Sequence, residues 1–586
     1  MSKLEALRKI KTKHELATLL GIKTSVLTYT LYVLKPDTQY SSFTLKKRSG
    51  GERTIFAPSE RLKSIQSTLS ELLQDCRDEI NNKKQDDGKF NSTLSHGFVR
   101  RHSIITNSMM HLNQKNVLNI DLENFFDCFN FGRVRGFFIA NNNFKLDPHI
   151  ATVIAQIACH NNKLPQGSPC SPTISNLITH SLDIQLANLA RTYSCRYTRY
   201  ADDITISTRE NLFPRKIMRH EDGKFIAGKR LRREIKRAGF TINEKKTRIQ
   251  YRDSRQDVTG LVVNKKPNIK SEYWRTVKSQ CHALFSTGSF KDKENGEFID
   301  GNEKILEGRL NFIDQIDRFN RLRQKTPLNP DYALAKYGYD TSKQLSGRER
   351  TFSRFLYYRF FYGNKFPTIL CEGKTDNVYL KCAIHMLTSG YPQLAKEKTE
   401  TEPYKLLLTF LKYTKRTRFL LQLHGGTSYL SFFINSFDKH YNFYKAPKPN
   451  NPAIIIADND SGFSSIESKL RKIDSAKGYH GKKAGKNYRQ AEFIHVVHNL
   501  YIVLTPTTKT NKETAIEDLF DSSTRKIQVS GKSFNPSNDM NNDTEYGKEV
   551  FAKKVIQAQK GSINFNGFKP LLNRIVAAMN HYDAIK

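Results

Sequence analysis

The chain has 586 residues, too many for one ordinary domain, and its 95 Lys plus Arg against 57 Asp plus Glu give a net charge of +38. That excess, with 26 Tyr and 37 Phe able to stack on bases, favours a nucleic-acid partner over a membrane, and no run approaches the roughly 18 apolar residues that cross a bilayer. The eight cysteines contain no Cys-x-x-Cys pair, which sets aside a zinc module and a disulfide framework and suits a reduced, cytoplasmic protein.

Met1 to Leu34 is patterned as helix, and Met1 to Ile22 lacks the uninterrupted apolar core of a signal peptide. The basic, turn-rich segment Lys46 to Arg53 leads into a strand at Thr54-Ile55-Phe56, and Pro58 opens a helix through Leu73. Asn81 to Asn91 is polar and reads as a loop. Val117 to Ile120 is a short, β-branched apolar run ending at Asp121, as for a buried strand. Thr173 to Ala190 has helical spacing. Arg196 to Ser207 alternates on both sides of Asp202-Asp203, a hairpin with the acids at its tip. A basic helix runs from near Lys229 to Gly239. Ser271 to Arg323 is helical apart from the polar Ser286 to Asn302, and the weakly periodic Gln324 to Gly347 marks the main boundary. Beyond it, strands expected at Thr368 to Cys371, Phe419 to Leu423 and Ala453 to Ala457 alternate with helices such as Val378 to Leu387, the pattern of a parallel α/β sheet.

Two sets of carboxylates lie beside these apolar runs, an expensive arrangement unless divalent cations neutralise them. In the first, Asp121 at a strand end and Asp202 at a hairpin tip, with Asp203 beside it, suit two Mg²⁺ ions that activate a hydroxyl and stabilise leaving pyrophosphate. The tetrapeptide Tyr200-Ala201-Asp202-Asp203 is weak by itself, since Tyr-x-Asp-Asp arises by chance. Its company is more specific: Ser95-His96-Gly97-Phe98 and Ser103-Ile104 before Asp121, then Leu164-Pro165-Gln166-Gly167-Ser168-Pro169, then Gly239-Phe240-Thr241-Ile242-Asn243-Glu244-Lys245-Lys246-Thr247.

This ordered series, over about residues 40 to 265, resembles the fingers and palm of reverse transcriptases, more narrowly the bacterial retron and group II intron branch. Val258-Thr259-Gly260 looks like the retron signature; Asn107 to His111 reads Asn-Ser-Met-Met-His where that branch usually has Asn-Ala-x-x-His. The resemblance implies that Asp121, Asp202 and Asp203 are metal acids. It puts Phe126 under the incoming sugar, where its ring would reject a 2′-hydroxyl, unless it is an ordinary core ring. Gln166 and Gly167 would border template and nucleotide. Lys47 and Arg53 are either triphosphate clamps or solvated loop charges, and Lys246 is either a proton donor to pyrophosphate or a plain surface lysine. The partners implied are dNTPs and a dedicated structured non-coding RNA. Synthesis would begin at an internal guanosine 2′-hydroxyl and give branched RNA-linked DNA.

In the second set, Glu372-Gly373-Lys374-Thr375-Asp376 follows one strand and Asp458-Asn459-Asp460 another. Residues two apart on a continuing strand share a face, so both aspartates can serve one cation. This pair resembles the TOPRIM fold of topoisomerases, primases and OLD-type nucleases over about residues 366 to 586. The resemblance makes Glu372 a metal ligand and general acid/base, with Asp458 and Asp460 as ligands for one or two Mg²⁺. Leu423 to Thr427 would be a glycine turn open to phosphate. Asp376 and the pair Glu517-Asp518 are further acids for this centre, the pair alternatively a helix-start charge. The basic Lys469 to Arg489 is either a phosphate track or a charged loop.

The expected fold is therefore an α+β right-hand polymerase (fingers and palm 1–250, thumb 251–325), a linker (326–365) and an α/β Rossmann-like TOPRIM domain (366–586). The expected function is a bacterial retron reverse transcriptase fused to a TOPRIM nuclease effector in antiphage defence, acting on an RNA or DNA substrate, with homo-oligomerisation left open. The alternatives are a C-terminal scaffold that holds the RNA–DNA product without cleaving, and a group II intron maturase-like protein.

Overall fold

In the computed structural model, which describes residues 2–46, 50–86, 94–221, 224–294, 296–323, 344–507, 513–537 and 539–586, the chain divides into two units, Met1–Ser271 and Glu272–Lys586. Among the described residues no single helix is long and apolar enough to cross a membrane.

The first unit is organised around a four-stranded antiparallel sheet in the order Cys195–Tyr200, Asp203–Thr208, Asn116–Asp121, Arg248–Tyr251. Leu118, Ile120, Ile204 and Ile206 are buried on its two central strands. Each such side chain contributes about 1.5–3 kcal/mol. Helices Pro148–Ala158 and Ser171–Thr192 supply Ile150, Ile154, Ile174 and Leu182 to the same core. The antiparallel hairpin Tyr40–Lys46 and Glu52–Pro58 precedes a long helix, Glu60–Asp86. That helix overruns the loop expected from Asn81 onwards. Its polar last turns need no buried face once Leu62, Leu69 and Leu73 anchor the earlier ones.

The second unit opens with helix Ser271–Thr287, a hairpin of Lys291–Glu294 and Glu297–Asp300, and helix Glu303–Leu322. The polar interruption thus holds a hairpin. Residues 344–365, read from sequence as part of the linker, carry helix Gly347–Tyr357, which buries Phe352, Phe355 and Leu356. A row of ion pairs fastens helix Glu303–Leu322 to this body: Glu303 with Lys365, Glu307 with Arg359, Asp314 with Arg416, Asp317 with Arg348, and Arg321 with Glu349. Spacings of three, four and seven place all five on one helical stripe.

Beyond it lies a seven-stranded sheet whose order is Thr409–Phe410, Thr368–Cys371, Ala453–Ala457, Leu500–Leu504, Phe493–Val497, Lys477–His480, Lys483–Gly485. The first four strands are parallel. Phe419 to Leu423, expected as a strand, instead forms the end of helix Lys415–Leu421, started by the Thr414 side-chain cap and closed by Gln422 in a left-handed conformation. The apolar run is too short for its periodicity to separate strand from helix, and the cap decides it. Among the described residues all eight cysteines are unpaired.

Candidate active sites

In the first unit, register places Asp121 directly opposite Asp203 and leaves Ala201 and Asp202 as the two residues that turn the hairpin. Ala201 has φ +57°, a left-handed conformation that folds the tip tightly. The turn is held from beneath. Arg199 forms a bidentate ion pair with Asp183 at 2.7 and 2.8 Å, both side chains essentially inaccessible, and donates to the Ala201 carbonyl at 2.9 Å. Tyr197 donates to the same Asp183 at 2.7 Å. His111, one of the signature residues near the helix Ile104–Met109, bonds Ser207 and Thr198, both at 2.7 Å, and Thr198 donates to Asn107 at 2.6 Å. Asn107 and His111 are thus buried struts for the hairpin strands, and burial holds the His111 imidazole neutral, with its pKa lowered to about 3.

Like charges meet at the tip. Burial raises the Asp202 carboxyl above its ordinary value, the charge of Asp121 adding to it while Lys246 and Arg53 oppose. Asp203 faces a separate pocket that it shares with Asp121, Tyr200, Lys246 and Arg248, and it is pushed up to about 6 by burial and by Asp202 and Asp121. The Lys246 ammonium lies 2.9–3.0 Å from both oxygens of Asp121, and Asn243 donates to that carboxylate at 3.2 Å. Lys246 is therefore the counter-ion of Asp121.

Arg53, Phe126, Gln166, Asp121, Asp202 and Lys246 all line one cleft of about 660 Å³. Gly167 does not. It has φ +126°, and a Cβ there would lie 2.3 Å from the Phe56 carbonyl, so its close approach is to the hairpin strand Glu52–Pro58 rather than to a nucleotide. Gln166 accepts from the Phe56 amide at 2.8 Å in the same contact. Lys47 lies outside the described residues.

In the second unit the strand Thr368–Cys371 runs beside Ala453–Ala457, and both deliver acids at their carboxyl ends. The Asp458 amide donates to Glu372 at 3.4 Å. Strand pairing stops at Ala457, so the alternation that sets Asp458 and Asp460 apart from Asn459 has another cause. Asn459 is fully buried, its amide bonded to Thr505 and Thr514 and its side chain to the Arg489 carbonyl. The Arg489 guanidinium holds the Asp460 carbonyl at 3.0 Å, a structural role for one residue of the basic run. The glycine turn closes over Glu372: Gly425 and Gly426 have φ of +99° and +84°, and the Gly426 amide donates to the Glu372 carbonyl at 3.3 Å.

Asp376 and Glu517 join this group, both raised above ordinary carboxylate values, chiefly by burial. Burial pushes Glu372 up to about 7, with Asp460 and Asp376 adding. It pushes Asp458 up to about 8, with Asp376, Glu372 and Glu517 adding. Lys548, which the sequence reading missed, lies 3.0 Å from Glu517. Burial works against its charge, but Glu517, Asp458 and Asp376 outweigh that and raise its pKa. Nothing local marks it, since it stands more than 170 residues from Glu372. Asp518 stays apart, capping Ala515 and pairing with Arg525.

Among the described residues no three His, Cys, Asp or Glu side chains are already gathered around a common metal position. Their oxygens are committed nearby: Asp121 to Lys246, Asp458 to the Ile516 amide, Asp460 to the Gly462 amide, Asp376 to the Gly373 amide. The donor sets nevertheless fit Mg²⁺, being all-oxygen, and the raised pKa values of Asp202 and Asp203 in one and of Glu372 and Asp458 in the other mark places short of positive charge.

Residues 45–270 match the family model described as reverse transcriptase (RNA-dependent DNA polymerase). The chain is 33% identical to the Retron Ec86 reverse transcriptase of Escherichia coli over 44% of its own length and 75% of that protein. It is 29% identical to the Retron Mx65 reverse transcriptase of Myxococcus xanthus over 54% and 71%. A solved structure of apo telomerase from Candida tropicalis aligns at a TM-score of 0.30 and 12% identity, over 56% of this chain and 62% of that one.

Proposed function

The chain belongs to the retron reverse transcriptases, RNA-directed DNA polymerases working on an RNA template with dNTPs, and from that premise we propose the parts its two units play. Asp121, Asp202 and Asp203 hold two Mg²⁺, which when bound supply charge neutralisation at the reacting phosphate and activation of the attacking hydroxyl. Arg53 meets the triphosphate, and Phe126 excludes ribonucleotides. The template is a dedicated non-coding RNA, and the product is branched RNA-linked single-stranded DNA, made in the bacterial cytoplasm. The observation that supports the site is the meeting of Asp121 and Asp202 in one cleft with Arg53, Phe126 and Gln166. Asp202→Asn is expected to abolish DNA synthesis with folding intact; ordinary extension by that variant rejects the assignment.

The second unit is a TOPRIM, Mg²⁺-dependent nuclease serving as an antiphage effector. Glu372, Asp458 and Asp460 are the ligands, with Asp376 and Glu517 behind them. Supporting this over a purely binding scaffold is the convergence of buried acids at the ends of neighbouring parallel strands, a costly arrangement for a surface that only binds polyanions. Purified protein stripped of nucleic acid is incubated with RNA and DNA pools and Mg²⁺. Cleavage lost in Glu372→Ala supports the nuclease; an inert wild type supports the scaffold.

A further inference from the structure

Phe98 has no part in the roles assigned above, yet its placement is costly. It is 45% exposed, whereas Gly97 and Val99 on either side are buried. Its φ of +57° is a conformation that bulky residues rarely adopt, and strain of this kind gathers where a ligand is clamped. Among the described residues no aromatic ring or cation packs against it.

The loop beneath it is rigid. The His96 amide donates to the Arg199 carbonyl at 2.8 Å, and the Arg199 amide to the Leu94 carbonyl at 2.9 Å, tying the segment to the hairpin strand that ends at the catalytic tip. Asn176 donates to the Gly97 carbonyl at 2.7 Å. A Cβ on Gly97 would lie 2.6 Å from the Ala201 nitrogen, so only glycine lets the loop press against the tip. The His102 amide closes the turn on Val99 at 3.1 Å. Val99 goes inward and Phe98 is turned out into the cleft that also holds Asp121 and Asp202.

We propose that Phe98 is a substrate-contacting residue whose ring stacks on a template base at the growing end of the template–primer. An aromatic face held rigidly beside the site of synthesis grips any base through its π-surface, as a polymerase that must read every template requires. Hydrogen bonding would instead impose a sequence preference.

The test measures template–primer affinity, extension kinetics and melting temperature for the full-length protein and four variants. Phe98→Gly removes the ring and the backbone strain together, so its melting temperature is expected not to fall. Its KM for template–primer is expected to rise about tenfold, by loss of one base–aromatic stack, with kcat changing less than about twofold. Phe98→Leu, apolar but not aromatic, is expected to behave like Phe98→Gly, while Phe98→Tyr and Phe98→Trp retain wild-type affinity. An abasic template position that weakens wild-type binding is expected to add nothing in Phe98→Gly. Wild-type KM in Phe98→Leu and Phe98→Gly overturns the proposal, as does failure of Phe98→Trp to hold affinity. A uniform loss of kcat at unchanged KM overturns it too, assigning the ring to the shape of the site.

Discussion

Arg199 and Asp183 share a bidentate ion pair inaccessible to solvent, and the same guanidinium holds the carbonyl of Ala201, one residue before Asp202. Breaking such a pair leaves one buried charge without a partner. Asp183→Asn is expected to lower stability by about 3–5 kcal/mol, measured by denaturant unfolding. The double variant Arg199→Met with Asp183→Leu is expected to regain most of that stability but not the polymerase rate, since nothing then holds the Ala201 carbonyl. Full activity in the double variant would dismiss the pair's role in positioning the tip.

Gly167 faces the Phe56 carbonyl at a distance no Cβ tolerates. Gly167→Ala combines that clash with a disfavoured φ and is expected to cost about 1–3 kcal/mol. Because the contact joins the Leu164-Pro165-Gln166 segment to the hairpin strand carrying Arg53, the KM for dNTPs is expected to rise as well. Unchanged stability together with unchanged dNTP kinetics would refute this.

Lys246 competes with any cation for Asp121. Its side chain is largely exposed, so Lys246→Ala is expected to change stability by less than about 1 kcal/mol. The Mg²⁺ concentration giving half-maximal DNA synthesis is expected to fall, because Asp121 is released. If Lys246 instead protonates pyrophosphate, kcat drops at every Mg²⁺ concentration and the half-maximal value stays put.

In the second unit the carboxyls of Glu372 and Asp458 titrate at about 7 and about 8, against ordinary values of 4.5 and 3.8. Folding therefore takes up protons between those limits, and the stability associated with the protonated forms is lost as pH rises from about 4 to about 8. Metal binding needs the ionised forms, so Mg²⁺ is expected to raise the melting temperature more at pH 8 than at pH 6. Glu372→Gln with Asp458→Asn is expected to flatten both dependences. An equal Mg²⁺ shift at the two pH values would contradict this linkage.

The meeting of Asp121 with Asp202-Asp203 was legible because local rules carried it: alternation on either side of Asp202-Asp203 makes a hairpin, and an apolar run ending at Asp121 makes its partner strand. Glu372 and Asp458 were legible for a similar reason, each closing a short apolar strand. What escaped was set by distant packing. Lys548 reaches the acids only through the fold, and Arg489 looked like one charge in a basic run until its bond to the Asp460 carbonyl placed it. The strand ends at Ala457, before Asp458, and Asn459 is buried by its own bonds to Thr505 and Thr514, so the strand continuation that sequence suggested is absent. The helix Lys415–Leu421 turned on one threonine cap, which apolar patterning does not register.

The stripe of five ion pairs along helix Glu303–Leu322 bears on how such a protein can be taken apart. The helices that sequence assigns to the polymerase thumb lie within the C-terminal unit and have its residues as their electrostatic partners. A chain ended shortly after Leu322 would leave Glu303, Glu307, Asp314 and Asp317 without their lysine and arginine partners, and Arg321 without Glu349. Exchanging the rest of this C-terminal unit for another would require either importing new helices with it or rebuilding the matching face.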